Sequence, residues 1–143
     1  MSGPDLEMIT PKAFGQSLRG VGVNLLCRDV PGMAAFLAQV FGLSAHRVSA
    51  DFAIVSHAGV MLQLHADATF ASHPLHALLP EAGPRGAGVQ LYLFGIDPDA
   101  AAARAEAAGG MVLEPPSDKP HGLREATILA PEGQAFSPAV LCA

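Results

Sequence analysis

At 143 residues the chain is one domain's worth, or two small halves sharing a core, and can bury roughly two-thirds of its unfolded surface. Half of its residues are apolar and 15% are charged, so a packed globule is expected rather than disorder. With a net charge of −5 and only two lysines, Lys12 and Lys119, it has no basic cluster to displace counterions from nucleic acid, and no run reaches the length of a membrane span.

The opening Met1-Ser2-Gly3-Pro4-Asp5-Leu6-Glu7 carries acid early and lacks an apolar stretch, so it does not read as a secretion signal. Residues 1–17 mix Pro, Gly and polar side chains and are expected to form a flexible N-terminal arm. A first strand is predicted over Gly20–Arg28. Asp29 is placed to cap the following helix, Pro31 suits its first turn, and Met33, Phe36, Leu37, Val40 and Phe41 recur at helical spacing before a Gly42 stop. Three short strands follow, over Leu43–Val48, Phe52–Ser56 and Gly59–His65. Residues 67–85 form a Pro/Gly-rich linker with one helical turn in prospect over Leu75–Leu79.

The second half repeats the plan. Gly20-x-Gly22-Val23-Asn24-Leu25 recurs as Gly86-x-Gly88-Val89-Gln90-Leu91, and the strand it opens runs to Phe94. Asp97-Pro98-Asp99 starts an alanine-rich helix that stops at Gly109-Gly110, and a strand over Ala126–Leu129, the turn Ala130-Pro131-Glu132-Gly133 and a final strand to Leu141 complete it. Each half reads β-α-β-β-β, and each alone leaves one sheet face bare, so the pair is expected to share a core. The two cysteines, Cys27 within a strand and Cys142 at the tail, read as reduced thiols of a cytoplasmic protein. A nucleophilic Cys27 would need a cation beside it, and Arg28 is the neighbour that offers one.

The order and spacing of Leu91-Tyr92-Leu93-Phe94-Gly95-Ile96-Asp97-Pro98, Glu114-Pro115-Pro116, His121-Gly122-Leu123-Arg124 and Pro131-Glu132-Gly133 resemble the vicinal oxygen chelate superfamily: glyoxalase I, bleomycin-resistance proteins, fosfomycin-resistance enzymes and extradiol dioxygenases. The resemblance covers residues 18–141 and implies an α+β fold, with two tandem βαβββ modules (18–66 and 86–143) forming an open barrel around a central cleft. It also implies a homodimer. In metal-using members four inward His or Glu side chains, one from the first and last strand of each module, hold a divalent ion. The corresponding positions here are Gly22 (or Asn24, one strand step on), Gln63, Gln90 and Ser137. None is His, Glu or Asp, and neutral amides and a hydroxyl bind such ions poorly, so no metal and no other cofactor is expected.

Strand alternation then gives the cleft inventory: Asn24, Gln63, His65, Gln90, Tyr92 and Ser137 among apolar neighbours, a mixture suited to a small organic ligand. His65 and His121 are the candidate general bases, since imidazole titrates near neutrality. Arg124 reads either as a carboxylate clamp at the cleft mouth or as a solvated ion pair with Glu106, Asp118 or Glu125. Three functions follow: a metal-free binding protein of the drug-sequestering kind, a lyase or isomerase of the same superfamily (or a metal enzyme with a non-standard site), and a subunit whose faces only contact a partner.

Overall fold

The computed structural model describes residues 5–142. Strand β1 (Val23–Cys27), helix α2 (Val30–Phe41), β2 (Ser44–His46), β3 (Phe52–His57) and β4 (Val60–Ala66) form the first module. Its second counterpart is β5 (Gln90–Phe94), α3 (Pro98–Ala105), β6 (Met111–Asp118), β7 (Leu123–Leu129) and β8 (Ala135–Leu141). The sheets are ordered β1-β4-β3-β2 and β5-β8-β7-β6, with the first and last strand of each module parallel and the rest antiparallel. This is the expected open barrel of two βαβββ modules. Among the described residues no helix is long and apolar enough to cross a membrane.

Local chemistry explains the elements. Asp29 Oδ1 accepts from Gly32 N at 3.0 Å and Pro31 occupies the first turn of α2, while Gly42 closes that helix at φ 72°, a left-handed conformation that costs glycine nothing. Asp97 caps α3 in the same manner, accepting from Asp99 N at 2.9 Å. The apolar stripe of α2 and the shorter one of α3 pack together over the inner halves of both sheets, making one core. Phe41 stands between the modules there, its ring centroid 5.9 Å from Phe36 and 5.6 Å from Phe136. β6 carries Pro115 and Pro116 inside a strand, which the ladder tolerates because β6 is the sheet's edge and its register with β7 slips around them.

Residues 1–4 of the expected flexible arm lie outside the described residues, and the rest of that stretch includes a short helix. Thr10 caps a helix α1 (Pro11–Ser17), its hydroxyl accepting from Ala13 N at 3.1 Å, with Pro11 at the first position. Leu6 and Phe14 are buried against Ile54, with Ile9, Leu18, Phe52 and Met61 packed around them. Composition hides this element: the apolar residues are few, and they gain a partner only from the sheet they cover.

The linker is also tied down. Arg85 is buried and grips Asp67 with two hydrogen bonds of 2.8 and 2.7 Å, while a third reaches the Leu26 carbonyl at 3.1 Å. Glu132, in the β7–β8 turn of the second module, accepts from the backbone N–H of Arg28 (2.7 Å) and Asp29 (3.0 Å) in the first. At the opposite end of the seam, His57 Nε2 donates to the Phe94 carbonyl at 2.7 Å. Cys27 is wholly enclosed, and burial, assisted by the charges of Glu132 and Asp67, pushes its thiol up to about 12. The Arg28 guanidinium points instead at the Pro80 and Gly83 carbonyls, so Cys27 is a packing residue.

Candidate functional site

Strand alternation decides which side chains leave the core. Val23, Leu25 and Cys27 of β1 and Leu62, Leu64 and Ala66 of β4 face α2, which turns Asn24, Leu26, Met61, Gln63 and His65 to the opposite face. In the second module Leu91, Leu93 and Phe136 face α3, which turns Gln90, Tyr92, Phe94, Ser137 and Ala139 the other way. Gly22 precedes β1, whereas Asn24 lies within it and stands in register with Gln63.

On the first module's outer face lies a cavity of about 390 Å³, floored by β3 and β4 and roofed by α1. Phe14, Phe52 and Ile54 supply apolar walls, and Gln63, His65 and Arg47 supply polar edges. His65 is the most constrained of these. Its Nδ1 lies 2.6 Å from Asn24 Oδ1, and its ring meets Phe52 at 4.9 Å and Phe70 at 5.5 Å between centroids. An amide oxygen only accepts, so Nδ1 carries the proton and Nε2 keeps its lone pair. Burial lowers the His65 pKa from its ordinary 6.5, so the neutral form dominates at pH 7.

The second module's outer face is organised around a residue that sequence reading missed. Glu125 is buried at 4% exposure; its Oε1 lies 2.9 Å from His121 Nε2, and its carboxylate beside Tyr92 raises the Tyr92 pKa. Tyr92 in turn stacks on Phe94, with ring planes 8° apart. Gln90 Nε2 donates to Ser137 Oγ at 2.7 Å, and Thr127 Oγ1 lies 3.3 Å from that same hydroxyl. Alternation along β7 would have found Glu125, because Ile128 faces the core and odd-numbered residues therefore face away. Arg124, of opposite parity, makes the ion pair with Asp118 that is one of its two sequence readings. Its guanidinium lies on the helix side, bonded to both Asp99 oxygens at 2.8 Å and to Asp118 at 3.1 Å.

The four family positions do not fit a resident divalent ion. Asn24 is engaged by His65, and Gln90 and Ser137 satisfy each other. Among the described residues no three His, Cys, Asp or Glu side chains are placed to hold one. Arg47 and the residues of α1 are the cavity members with no sequence signal: a lone arginine after a three-residue strand, and a helix read as a loose arm.

The family described as "Glyoxalase-like domain" matches residues 21–138. Comparison with curated proteins returns no relative. Among solved structures, the fold is similar to that of a glyoxalase/bleomycin resistance protein/dioxygenase family enzyme from Burkholderia phytofirmans PsJN, with TM-score 0.69 and 23% identity over 85% of this chain and 97% of that one. A glyoxalase-related enzyme from Fulvimarina pelagi is similar at TM-score 0.68 and 18% identity, covering 85% of this chain and 87% of that one. A glyoxalase/bleomycin resistance protein/dioxygenase from Nocardioides gives TM-score 0.63 and 22% identity over 91% of each chain. At these identities the solved structures speak for the fold alone, while the match of most of the sequence to the family speaks for descent: the chain belongs to the Glyoxalase-like domain family, within the vicinal oxygen chelate superfamily.

Proposed function

We propose that the protein binds and sequesters a small amphipathic molecule without a resident metal, and that the ligand sits in the cavity beneath α1. The observation that carries this reading is the cavity itself: about 390 Å³, walled mainly by apolar side chains and edged by Gln63 and His65. That volume lies at the compact end of the roughly 300–1,000 Å³ typical of small-molecule sites. Gly15 offers a clean test. It borders the cavity, and a Cβ added there meets no atom within 4 Å. Replacing a glycine inside a helix also removes a cost of about 0.5–1 kcal/mol. Gly15→Leu is therefore expected to fold at least as stably as the parent while filling the site. Thermal unfolding across a panel of amphipathic aromatic compounds should give upward shifts in the parent that vanish in Gly15→Leu. No shift with any compound, equal shifts in the variant, or a stoichiometric divalent metal in the purified protein would sink the proposal.

The Asn24–His65 pair favours a second reading, a lyase or isomerase in which His65 Nε2 is the general base. His121, paired with Glu125, is the alternative base on the other module. The deprotonated base is the active form and its pKa is lowered, so His65-dependent turnover should persist below the ordinary midpoint of 6.5 and fall only in more acidic buffer. Full turnover in His65→Ala would remove that role.

A further inference from the structure

We infer that the ligand of the α1-roofed cavity is an anion, specifically a compact aromatic carboxylate held by Arg47. This rests on the small-molecule reading above and names the chemistry of its ligand. The protein as a whole carries a charge of −5, yet among the described residues Arg47 is the one side chain of fixed charge lining the cavity, and no Asp or Glu lines it. Arg47 is half-buried at the cavity's edge, where its guanidinium can meet an anionic group held inside.

Arg47 is also held in place. Its backbone adopts φ 54°, a conformation that arginine seldom takes, and its N–H donates to Glu7 Oε1 at 2.9 Å. The guanidinium gives one N–H, on Nη1, to the Ile9 carbonyl. Its remaining donors have no protein acceptor among the described residues. A guanidinium offers five donors in a planar fork that matches the two oxygens of a carboxylate. Glu7, the nearest acid in these contacts, is turned to the Arg47 backbone and lies 4.0 Å from His46 Nδ1; it does not line the cavity. The rest of the lining fits the body of such a molecule. Phe14, Phe52 and Ile54 would cover a flat ring system, and neutral His65 would accept through Nε2 from a hydroxyl or N–H on it.

The test compares 1-naphthoate with 1-naphthamide, which share a ring system and differ in charge, by isothermal titration. The expected result is binding of the acid about tenfold or more tightly than the amide, as a charge-assisted bond to a fixed fork supplies. Arg47→Gln should remove that preference by weakening the acid while leaving the amide unchanged. Arg47→Lys, which keeps the charge without the fork, should retain part of it, and decides the matter should the glutamine variant fail to fold. Equal binding of acid and amide, both lost in Gly15→Leu, overturns the anion while leaving the small-molecule site standing. An acid preference that survives in either Arg47 variant undiminished overturns the role of Arg47. Failure of both probes overturns the carboxylate inference, and failure of the whole amphipathic aromatic panel as well overturns the site.

Discussion

Arg85→Met is expected to lower the unfolding free energy by about 3–5 kcal/mol, the range for removing one partner of a buried ion pair. Arg85 is 6% exposed and makes three hydrogen bonds, two to Asp67 and one to the Leu26 carbonyl. Methionine fills similar space but leaves a half-buried carboxylate and an orphaned carbonyl, and that uncompensated polarity is what the loss measures. Urea unfolding monitored by circular dichroism reads it directly; a loss under about 1 kcal/mol would mean the pair behaves as a solvated surface contact. Removing both partners, Arg85→Met with Asp67→Asn, should recover part of the loss, because the stranded charge is gone. Acid gives an independent check. The Arg85 hydrogen bonds hold the Asp67 carboxyl below its ordinary 3.8, so its folded value lies beneath its unfolded one. Stability from this pair is therefore fully present above pH 3.8 and is lost as pH falls through the lowered value. The gap between parent and Asp67→Asn should close over that acidic window and stay constant above it.

A loss of about 3–5 kcal/mol is likewise expected for Phe36→Ala, and here the important reading is where it is felt. Phe36 is 1% exposed, stands edge-on to Phe41, and meets Gly110 so closely that a Cβ on that glycine would lie 2.6 Å from its ring. Phe36 belongs to the first module and Gly110 leads into β6 of the second, so the cavity left by alanine opens in the shared core. The single tyrosine, Tyr92, reports on the second module. Its fluorescence and the circular dichroism of the whole chain should shift to the same lower midpoint in Phe36→Ala. A Tyr92 transition that stays at the parental midpoint would show two independently melting halves and refute the single core.

The duplicated βαβββ plan was readable because its punctuation is local. Asp29, Asp97 and Gly42 do in the structure what their side chains or backbone freedom allow within a few residues of chain. The repeat of Gly-x-Gly before an apolar strand marked both modules, and parity along β1, β4, β5 and β8 separated Asn24, Gln63, His65, Gln90, Tyr92 and Ser137 from the helix-facing side chains; expected in one central cleft, they divide instead between the first module's face away from α2 and the second's face away from α3. What escaped depends on distant partners. Helix α1 is short, and its apolar residues acquire meaning only against Phe52, Ile54 and Met61, some forty residues later. Strand β6 is interrupted by two prolines that an interior strand would reject, and its edge position follows from the sheet order. Arg124 and Glu125 were weighed as neighbours in sequence, whereas the strand sends one to α3 and the other to His121 and Tyr92.

The two sheets are fastened at both ends of their seam, by Glu132 on the Arg28 and Asp29 amides and by His57 on the Phe94 carbonyl. Two such fastenings oppose any swing of one module away from the other, so for the ligand proposed above the element left to yield would be the seven-residue helix α1 that roofs the cavity. Residence time then becomes a property of local fraying rather than of domain opening. Gly15, in the middle of that helix, would favour such fraying.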